Sequence, residues 1–166
     1  SLLCVMMVVC FMPAMAWAEE NAATATLPEA VDGIITISED GSYEISENLT
    51  ASIVIEAGAD VTLTVNGTLT NSDGSDTITV EKKAKLTIKG TGTVDNITHA
   101  KAAVLNNGET IINGGTFTRS QENGKNKGDN GDNSFYAILN HGTMTIDGEG
   151  VTVSQNGHYS SLIENG

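Results

Sequence analysis

Residues 86–90 read LTIKG, and this pattern of alternating apolar residues that ends at a glycine occurs four times in the chain. The other copies are LTVNG at 63–67, TIING at 110–114 and MTIDG at 144–148. Threonine and β-branched residues fill these segments, which favours strands over helices. A segment that returns at a regular distance is typical of a stacked repeat architecture. We therefore predict that each copy contributes one strand to a repeating unit. The apolar residues that should form one column are Val65, Ile88, Ile112 and Ile146.

A second marker, an asparagine followed two residues later by a glycine, gives the same period. AVLNNG at 103–108 matches AILNHG at 137–142, and SLIENG at 161–166 begins a third copy, with Glu164 in the place of the asparagine. Asparagine side chains in such turns can hydrogen-bond to neighbouring turns and tolerate left-handed backbone. We interpret the aligned residues as a structural turn ladder rather than a ligand site. They are Asn106, Asn140, Gly108, Gly142 and Gly166.

The spacing of the repeats predicts the fold. The glycines that end the four copies lie 23, 24 and 34 residues apart, and the long interval contains the wholly polar stretch QENGKNKGDNGDNS at 121–134. Treating about ten of these residues as an inserted loop restores a spacing of 24. A repeat of this size, with three short strands between Gly/Asn turns, corresponds to one turn of a parallel β-helix. We predict an all-β chain in which residues 34–166 form a right-handed solenoid that is truncated at its C-terminal end.

Three other architectures compete with this prediction. A leucine-rich repeat has a similar period, but its Leu-x-x-Leu-x-Leu-x-x-Asn pattern does not occur here. A calcium β-roll needs Gly-Gly-x-Gly-x-Asp nonapeptides, which are also missing from the sequence. A β-sandwich has strands at intervals of about 8 to 12 residues. The matched turn sequences favour the β-helix over the sandwich, since strands in a sandwich need not resemble one another.

From about Ile35 onward the chain resembles the right-handed parallel β-helix, or pectate-lyase-like, superfamily, in the form found on large secreted surface proteins of bacteria. The resemblance rests on four stretches, which are ITISEDGSYEISENLTASIVIEAGADVTLTVNGTLTN, LTIKGTGTV, LNNGETIINGGTFT and LNHGTMTIDGEGVTV. It implies parallel coils, stacked turn residues and long chains. The superfamily includes polysaccharide lyases, glycosidases and non-catalytic adhesins, so the resemblance leaves the activity open.

The first 18 residues predict a secretion signal. The apolar run LLCVMMVVCFM at 2–12 is shorter than the roughly 20 residues that a membrane-spanning helix needs. The following AWA at 16–18 fits the small-x-small pattern of a signal-peptidase site, so we predict cleavage between Ala18 and Glu19. The protein is therefore expected to be secreted, either extracellular or on the cell surface. Residues 19–33 are predicted to be a flexible leader into the first coil.

Composition narrows the classes of partner. The net charge is −13, with only 8 lysine and arginine residues, and both cysteines lie within the predicted signal. These features exclude a basic nucleic-acid-binding protein and a disulfide scaffold. After residue 18 we expect no membrane span, and we expect the repeats to continue into a longer chain. The expected partners are host or cell-wall glycans or surface proteins.

The candidate ligand residues lie in and around the inserted loop. Calcium takes six to eight oxygen ligands, and Asp129 and Asp132 could supply some of them. Their spacing does not match an EF-hand, so no metal and no cofactor is assigned, and calcium stays an open alternative. Exposed aromatic side chains are common in sugar-binding sites. We therefore name Tyr136 and Tyr159, which flank successive repeats, as candidate ligand contacts.

No catalytic residue is assigned. A lyase-type mechanism would need a basic residue beside carboxylates, and the only arginine, Arg119, has no acidic residue at matching positions in the next copy. Asp147 and Glu149 could share one face of a strand, but Lys89 and Asn113 stand at the positions that match Asp147. We expect a non-catalytic, N-terminal part of a bacterial surface protein, an adhesin or stalk-like scaffold. The alternative is the first coils of a polysaccharide lyase or glycoside hydrolase whose active site lies beyond residue 166.

Overall fold

The computed structural model describes residues 23–72, 74–121, 136–155 and 161–166. Within these ranges the regular structure consists of strands, and no helix occurs. The strands in chain order are β1 Thr24–Ala25, β2 Ile34–Ile37, β3 Gly41–Ile45, β4 Leu49–Thr50, β5 Ser52–Ile55, β6 Asp60–Val65, β7 Thr68–Thr70, β8 Ile78–Val80, β9 Lys85–Lys89, β10 Thr93–Asp95, β11 Val104–Asn106, β12 Glu109–Ile112, β13 Thr116–Arg119, β14 Ile138–Asn140, β15 Thr143–Ile146, β16 Thr152–Gln155 and β17 Ile163–Asn165.

These strands form three sheets in which every pair of neighbouring strands is parallel. Sheet A contains β1, β3, β6, β9, β12 and β15; sheet B contains β2, β5, β8, β11, β14 and β17; sheet C contains β4, β7, β10, β13 and β16. From β2 onward the chain visits sheets B, A and C in a fixed order, and one such passage is called a coil below. The prediction of an all-β chain with parallel sheets is confirmed, and this topology is consistent with a β-helix solenoid.

The core is a column of apolar side chains that alternate with outward-facing residues. In β6, Val61, Leu63 and Val65 are buried, whereas Thr62 and Thr64 between them are half-buried on the outer face. The same alternation puts Leu86 and Ile88 of β9 inside. Burial of each such aliphatic side chain contributes about 1.5 to 3 kcal/mol to the free energy of unfolding. The pattern of period two therefore specifies which face of each strand points inward.

The column in sheet A differs from the predicted one at its first member. Ile88 pairs with Ile112, and Ile112 with Ile146, as predicted, but Leu63 rather than Val65 pairs with Ile88. The predicted alignment is therefore wrong by two residues at this step. In this register Gly92, not Gly90, stands over Gly67. The two backbones are so close that a Cβ on Gly92 would lie 2.1 Å from the Gly67 carbonyl oxygen.

Part of the segment predicted to be a flexible leader and entry, residues 19–33, contacts the first coil. Within its described part, residues 23–33, β1 pairs in parallel with β3. Leu27 packs against the apolar core, and Val31 and Ile34 exchange backbone hydrogen bonds of 2.9 Å. Residues 23–33 thus cover the first coil. Ala18 and Glu19, at the predicted cleavage site, lie outside the described residues.

Candidate functional site

The connections between strands differ in length among the three corners of the coil. Those from sheet B to sheet A hold two to four residues, and those from sheet A to sheet C hold two to five. From sheet C to sheet B the first connection is Ala51 alone, but all later ones are longer. We call the edge from which they emerge the loop corner, and its connections are 71–77, 96–103, 120–137 and 156–162. In a solenoid, loops that collect on one face commonly form the binding face.

Polar side chains replace apolar ones inside the base of the loop corner. Asn71 and Asn96 each follow the last residue of a sheet C strand, and their backbone amides donate to the next coil, to the carbonyl oxygens of Asp95 and Thr118 respectively. Arg119 pairs with Gln155 in the following coil. Asn71 is 1 % exposed, and Asn96 and Arg119 are fully buried. We call the four residues Asn71, Asn96, Arg119 and Gln155 the polar column.

The two asparagines of the polar column tie neighbouring loops together. Asn71 Nδ2 donates to Thr98 Oγ1 at 2.8 Å and Asn71 Oδ1 accepts from the Ile97 amide at 2.8 Å, so one loop holds the next. Asn96 Nδ2 donates to the Ala102 carbonyl oxygen at 2.9 Å and to Thr77 Oγ1 at 3.1 Å. Buried polar atoms cost free energy unless they are hydrogen-bonded. The loop base is therefore specified by these bonds rather than by apolar packing.

Thr98 connects three levels of the loop corner. Its hydroxyl also accepts from the Gly74 amide at 3.1 Å, and its carbonyl oxygen accepts from Nη2 of Arg119 at 3.4 Å. An ion pair of 4.0 Å between Lys101 and Asp76 lies beside these bonds. The backbone around the first two loops is thus held at fixed positions, which is what a surface for recognition requires.

A fixed carboxylate marks where the third loop leaves the stack. Asp95 ends β10, and its Oδ1 accepts from the Ser120 amide at 2.9 Å, while its Oδ2 accepts from the Ser120 hydroxyl. Ser120 is the first residue after β13, so Asp95 holds the start of the connection 120–137. The direction in which this long connection departs is therefore set by the coil below it.

A second polar column, the asparagine ladder, begins at the ends of the sheet B strands. Asn106 Nδ2 donates to Asn140 Oδ1 at 2.7 Å, and Asn140 Nδ2 donates to Asn165 Oδ1 at 2.9 Å. Asn106 Oδ1 also accepts from Thr110 Oγ1 at 2.9 Å and from the Gly108 amide at 3.1 Å. The ladder therefore both joins the coils and closes each turn.

The third rung differs from the predicted one. Asn140 pairs with Asn165, and Gly166 lies over His141 rather than over Gly142, so the predicted alignment of Glu164 and Gly166 is wrong by one residue. A shift of one residue exchanges the two faces of a strand. The observed register turns Asn165 into the stack, whereas the predicted one would turn the Glu164 carboxylate inward, where burial is costly.

The predicted ligand candidates all belong to connections of the loop corner. Tyr136 lies half-buried just before β14. Asp129 and Asp132 belong to the connection 120–137 and Tyr159 to the connection 156–162, and all three lie outside the described residues. Across the part of the chain that the structure describes, no group of three or more His, Cys, Asp or Glu residues could hold a metal ion. Nor does any helix in those ranges have the length and hydrophobicity to span a membrane.

Sequence reasoning missed the polar column. The sequence pattern singles out neither Asn71 nor Asn96, and it brings in Arg119 only as a candidate base of a lyase-type mechanism. The signal was present, however, because the alternation that points Phe117 inward also points Arg119 inward. Phe117 is fully buried and pairs with Val94 in the coil below.

A shallow groove of about 630 Å³ lies at a different corner, where sheet B turns toward sheet A. Glu56 and Glu81 line it together with Lys82. The Glu81 amide donates to the Ile55 carbonyl oxygen at 3.0 Å, so the two exposed glutamates occupy equivalent places in successive coils. Glycoside hydrolysis uses two carboxylates about 5 to 10 Å apart. Glu56 and Glu81 are therefore the pair to substitute when the alternative of a glycoside hydrolase is tested.

Comparison of the chain with protein-family models, with curated proteins and with solved structures gives no match.

Proposed function

We propose that this chain is a non-catalytic display scaffold, the N-terminal part of a secreted bacterial cell-surface protein of the adhesin or stalk type. Its solenoid is right-handed, of the pectate-lyase-like kind, with coils of about 24 residues like the step from Ile88 to Ile112. In this proposal the sheets serve as a rigid support, and the connections at the loop corner make the contacts with a partner.

The observation that carries the proposal is the distribution of connection lengths. Two corners keep connections of five residues or fewer, whereas the loop corner carries connections of up to 18 residues. Extra length in a loop costs little conformational entropy, about 0.6 kcal/mol per doubling. Hydrogen bonds donated by Asn71 and Asn96 and accepted by Asp95 fix the loop bases. A rigid base under loops of variable length is the arrangement that binding scaffolds use.

The partners that we propose are host or cell-wall glycans or surface proteins. A net charge of −13 disfavours contact with nucleic acid and with anionic membrane surfaces. The candidate ligand contacts Tyr136 and Tyr159 belong to the loop corner connections, and tyrosine has an aromatic ring of the kind that stacks on sugar rings. The proposal assigns no metal ion, and it leaves open whether Asp129 and Asp132 bind calcium.

Export is part of the proposal and makes a separate prediction. We expect signal peptidase to cut between Ala18 and Glu19, because Ala16 and Ala18 flank Trp17 in the small-x-small pattern. Expression of the chain in a bacterium, followed by N-terminal sequencing of the exported protein, should give Glu19 as the first residue. Exported protein that still carried residues 2–12 would contradict this prediction.

The binding role is tested by removing the largest loop. The chain from Glu19 onward is compared with a variant that lacks residues 124–133, on a glycan microarray and on intact host and bacterial cells. We expect the deletion to weaken binding at least tenfold while the circular dichroism spectrum is retained. Glu81→Gln, in the groove at another corner, is the matched control and should bind like the parent.

Two results would contradict the proposal. One is binding that persists at full strength in the loop deletion, which would place the contact surface elsewhere on the solenoid. The other is depolymerisation of a polysaccharide by the parent chain that is lost in Glu81→Gln, which would support the enzyme alternative.

A further inference from the structure

The outer face of sheet C carries side-chain hydroxyl groups in two columns. The strands β7, β10, β13 and β16 contain TLT, TVD, TFT and TVS, and in each triplet the middle residue points inward while the other two point outward. The register aligns the first column, which is Thr68, Thr93, Thr116 and Thr152. It also aligns the second column, which is Thr50, Thr70, Asp95, Thr118 and Ser154. We call these nine residues the hydroxyl array.

The sheet holds the array at regular distances. Behind it, Leu69, Val94 and Phe117 are each at most 1 % exposed, so the strands lie on a packed core. Neighbouring strands of a sheet are about 4.7 to 4.9 Å apart, and alternate residues of one parallel strand are about 6.6 Å apart. Threonine is also stiff about its first side-chain torsion because it is branched at Cβ. The outcome is a two-dimensional lattice of hydroxyl and methyl groups that exists before any partner binds.

The array is almost uncharged in a chain whose net charge is −13. Asp95 is its one ionisable residue, and both carboxylate oxygens of Asp95 accept hydrogen bonds from Ser120. The outer face of sheet A is different, because its strands expose five charged residues. They are Glu44, Asp60, Lys85, Lys89 and Glu109.

The outer face of sheet B is different in another way. Its single outward column runs from Thr36 through Val54, Thr79, Leu105 and Leu139 to Glu164, so apolar residues interrupt the hydroxyls. Within the strands that the structure describes, the combination of aligned hydroxyls and low charge is therefore specific to sheet C.

The chemistry of the array disfavours the usual classes of partner. Nucleic acids are bound through lysine and arginine, and the array has neither. The cores of protein interfaces are enriched in aromatic residues, methionine and arginine and depleted in serine. Small molecules bind in concave pockets lined by apolar side chains, whereas the array is the outer face of a sheet. Sugar rings stack on aromatic side chains, and Phe117, the aromatic residue of these strands, points inward.

We propose that the hydroxyl array is an ice-binding surface, on which the outer face of sheet C adsorbs to crystalline water. A face of ice is uncharged, periodic and able to donate and accept hydrogen bonds. The oxygen atoms on a prism face of ice repeat at distances close to the strand spacing and to the spacing of alternate residues. A threonine hydroxyl both donates and accepts, so it can take the place of a water molecule at the ice surface.

Rigidity favours this partner further. The hydroxyls are already fixed by the sheet, so little conformational entropy is lost when they meet a rigid lattice. Ice binding concerns a different face from the loop corner and does not depend on the binding role proposed there.

The test measures inhibition of ice recrystallisation by the chain from Glu19 onward. Thr93→Lys and Thr116→Lys each place a long, charged side chain in the middle of the array. We expect each variant to need at least a tenfold higher concentration than the parent for the same inhibition. Thr62→Lys is the matched control, because Thr62 is a half-buried threonine on the outer face of sheet A, and it should inhibit like the parent. Circular dichroism and thermal unfolding show that each variant is folded.

A variant at the edge of the array and a second measurement complete the test. Thr152 is exposed, so Thr152→Lys should fold even if the central variants do not, and it should raise the required concentration at least twofold. The parent should also become enriched in ice that grows slowly from a dilute solution, and Thr116→Lys should not.

Three results would overturn the proposal. The first is a folded parent that neither inhibits recrystallisation nor becomes enriched in ice. The second is a folded Thr62→Lys variant that loses as much inhibition as Thr116→Lys, since the effect would then not belong to sheet C. The third is a parent without activity on ice that binds crystalline cellulose or chitin through the array, so that Thr116→Lys abolishes the binding. A periodic polysaccharide would then be the occupant.

Discussion

At the scale of single residues, the ladder positions require a side chain that both donates and accepts hydrogen bonds, and the asparagine amide is the shortest one that does. Asn140 uses both capacities, since its Oδ1 accepts from Asn106 while its Nδ2 donates to Asn165. Its Oδ1 also accepts from the Gly142 amide at 3.2 Å, which closes the local turn. One side chain therefore links three coils and a turn.

Asn140→Ala should lower the free energy of unfolding by about 2 to 3 kcal/mol, because it deprives the buried Asn106 amide of one partner and breaks the bond to Asn165. Urea unfolding followed by circular dichroism measures the change. Asn113→Ala is the matched control, because Asn113 is exposed and should change stability by less than about 0.5 kcal/mol. Equal effects of the two substitutions would show that the ladder does not stabilise the stack.

The same logic applies to the apolar column of sheet A. Ile112→Asp puts an unpaired carboxylate at a fully buried position and should cost several kcal/mol. Ile146→Asp is the same substitution one coil later, where the side chain is 43 % exposed. It should lower the free energy of unfolding by about 1 kcal/mol or less. Thermal unfolding of both variants measures the difference. A melting temperature of Ile112→Asp within a degree or so of the parent would mean that the column is misassigned.

At the scale of strands, the sequence predicts which residues point inward but not always which residues stack. A shift of two residues keeps the same face inside, so alternation alone cannot distinguish Val65 from Leu63 as the partner of Ile88. The deciding contact is between backbones, where Gly92 leaves room for the Gly67 carbonyl oxygen.

A shift of one residue is different, because it reverses the faces and leaves a trace in the sequence. In the third copy, the predicted alignment turns Glu164 inward, and the adjacent Asn165 offers an uncharged alternative. Comparing the cost of burying the two side chains would have given the observed register. Likewise, the inward position of Arg119 follows from that of Phe117, whereas its contact with Thr98 depends on how a neighbouring loop folds.

The longest connection offers a test of the coil as an element. Deletion of residues 124–133 leaves eight residues between Arg119 and Ile138, the same number as in the connection 96–103. Because lengthening a polar loop contributes little to the free energy of closure, we expect the variant to fold and to melt within a few degrees of the parent. Far-UV circular dichroism and thermal unfolding measure this.

The control for the deletion is Asn96→Ala, which keeps all loop lengths but removes the hydrogen bonds to Ala102 and Thr77. It should lower the free energy of unfolding by about 2 kcal/mol. If the deletion abolished folding instead, the connection 120–137 would be part of a coil, and the alignment of the repeats on both sides of it would need revision.

At the scale of the whole molecule, each strand contacts its neighbours within one sheet, so a coil is stabilised by the coils directly below and above it. The stability of such a stack is approximately a sum of terms for single repeats and for the interfaces between neighbours. Among the strands that the structure describes, a coil in the middle has two interfaces, whereas the last coil has one. The molecule should therefore open from an end rather than everywhere at once.

Native-state hydrogen exchange at low denaturant should reveal this order. Amides of β9, which pairs with both β6 and β12, should open with a free energy close to that of global unfolding. Amides of β15, β16 and β17 should open at about 2 kcal/mol less, because their coil has one interface and an exposed Ile146. Strand β3 is the internal control, since β1 and Leu27 cover it and should keep its protection above that of β15. One common opening free energy for all these strands would contradict the additive picture and would require coupling that passes beyond neighbouring coils.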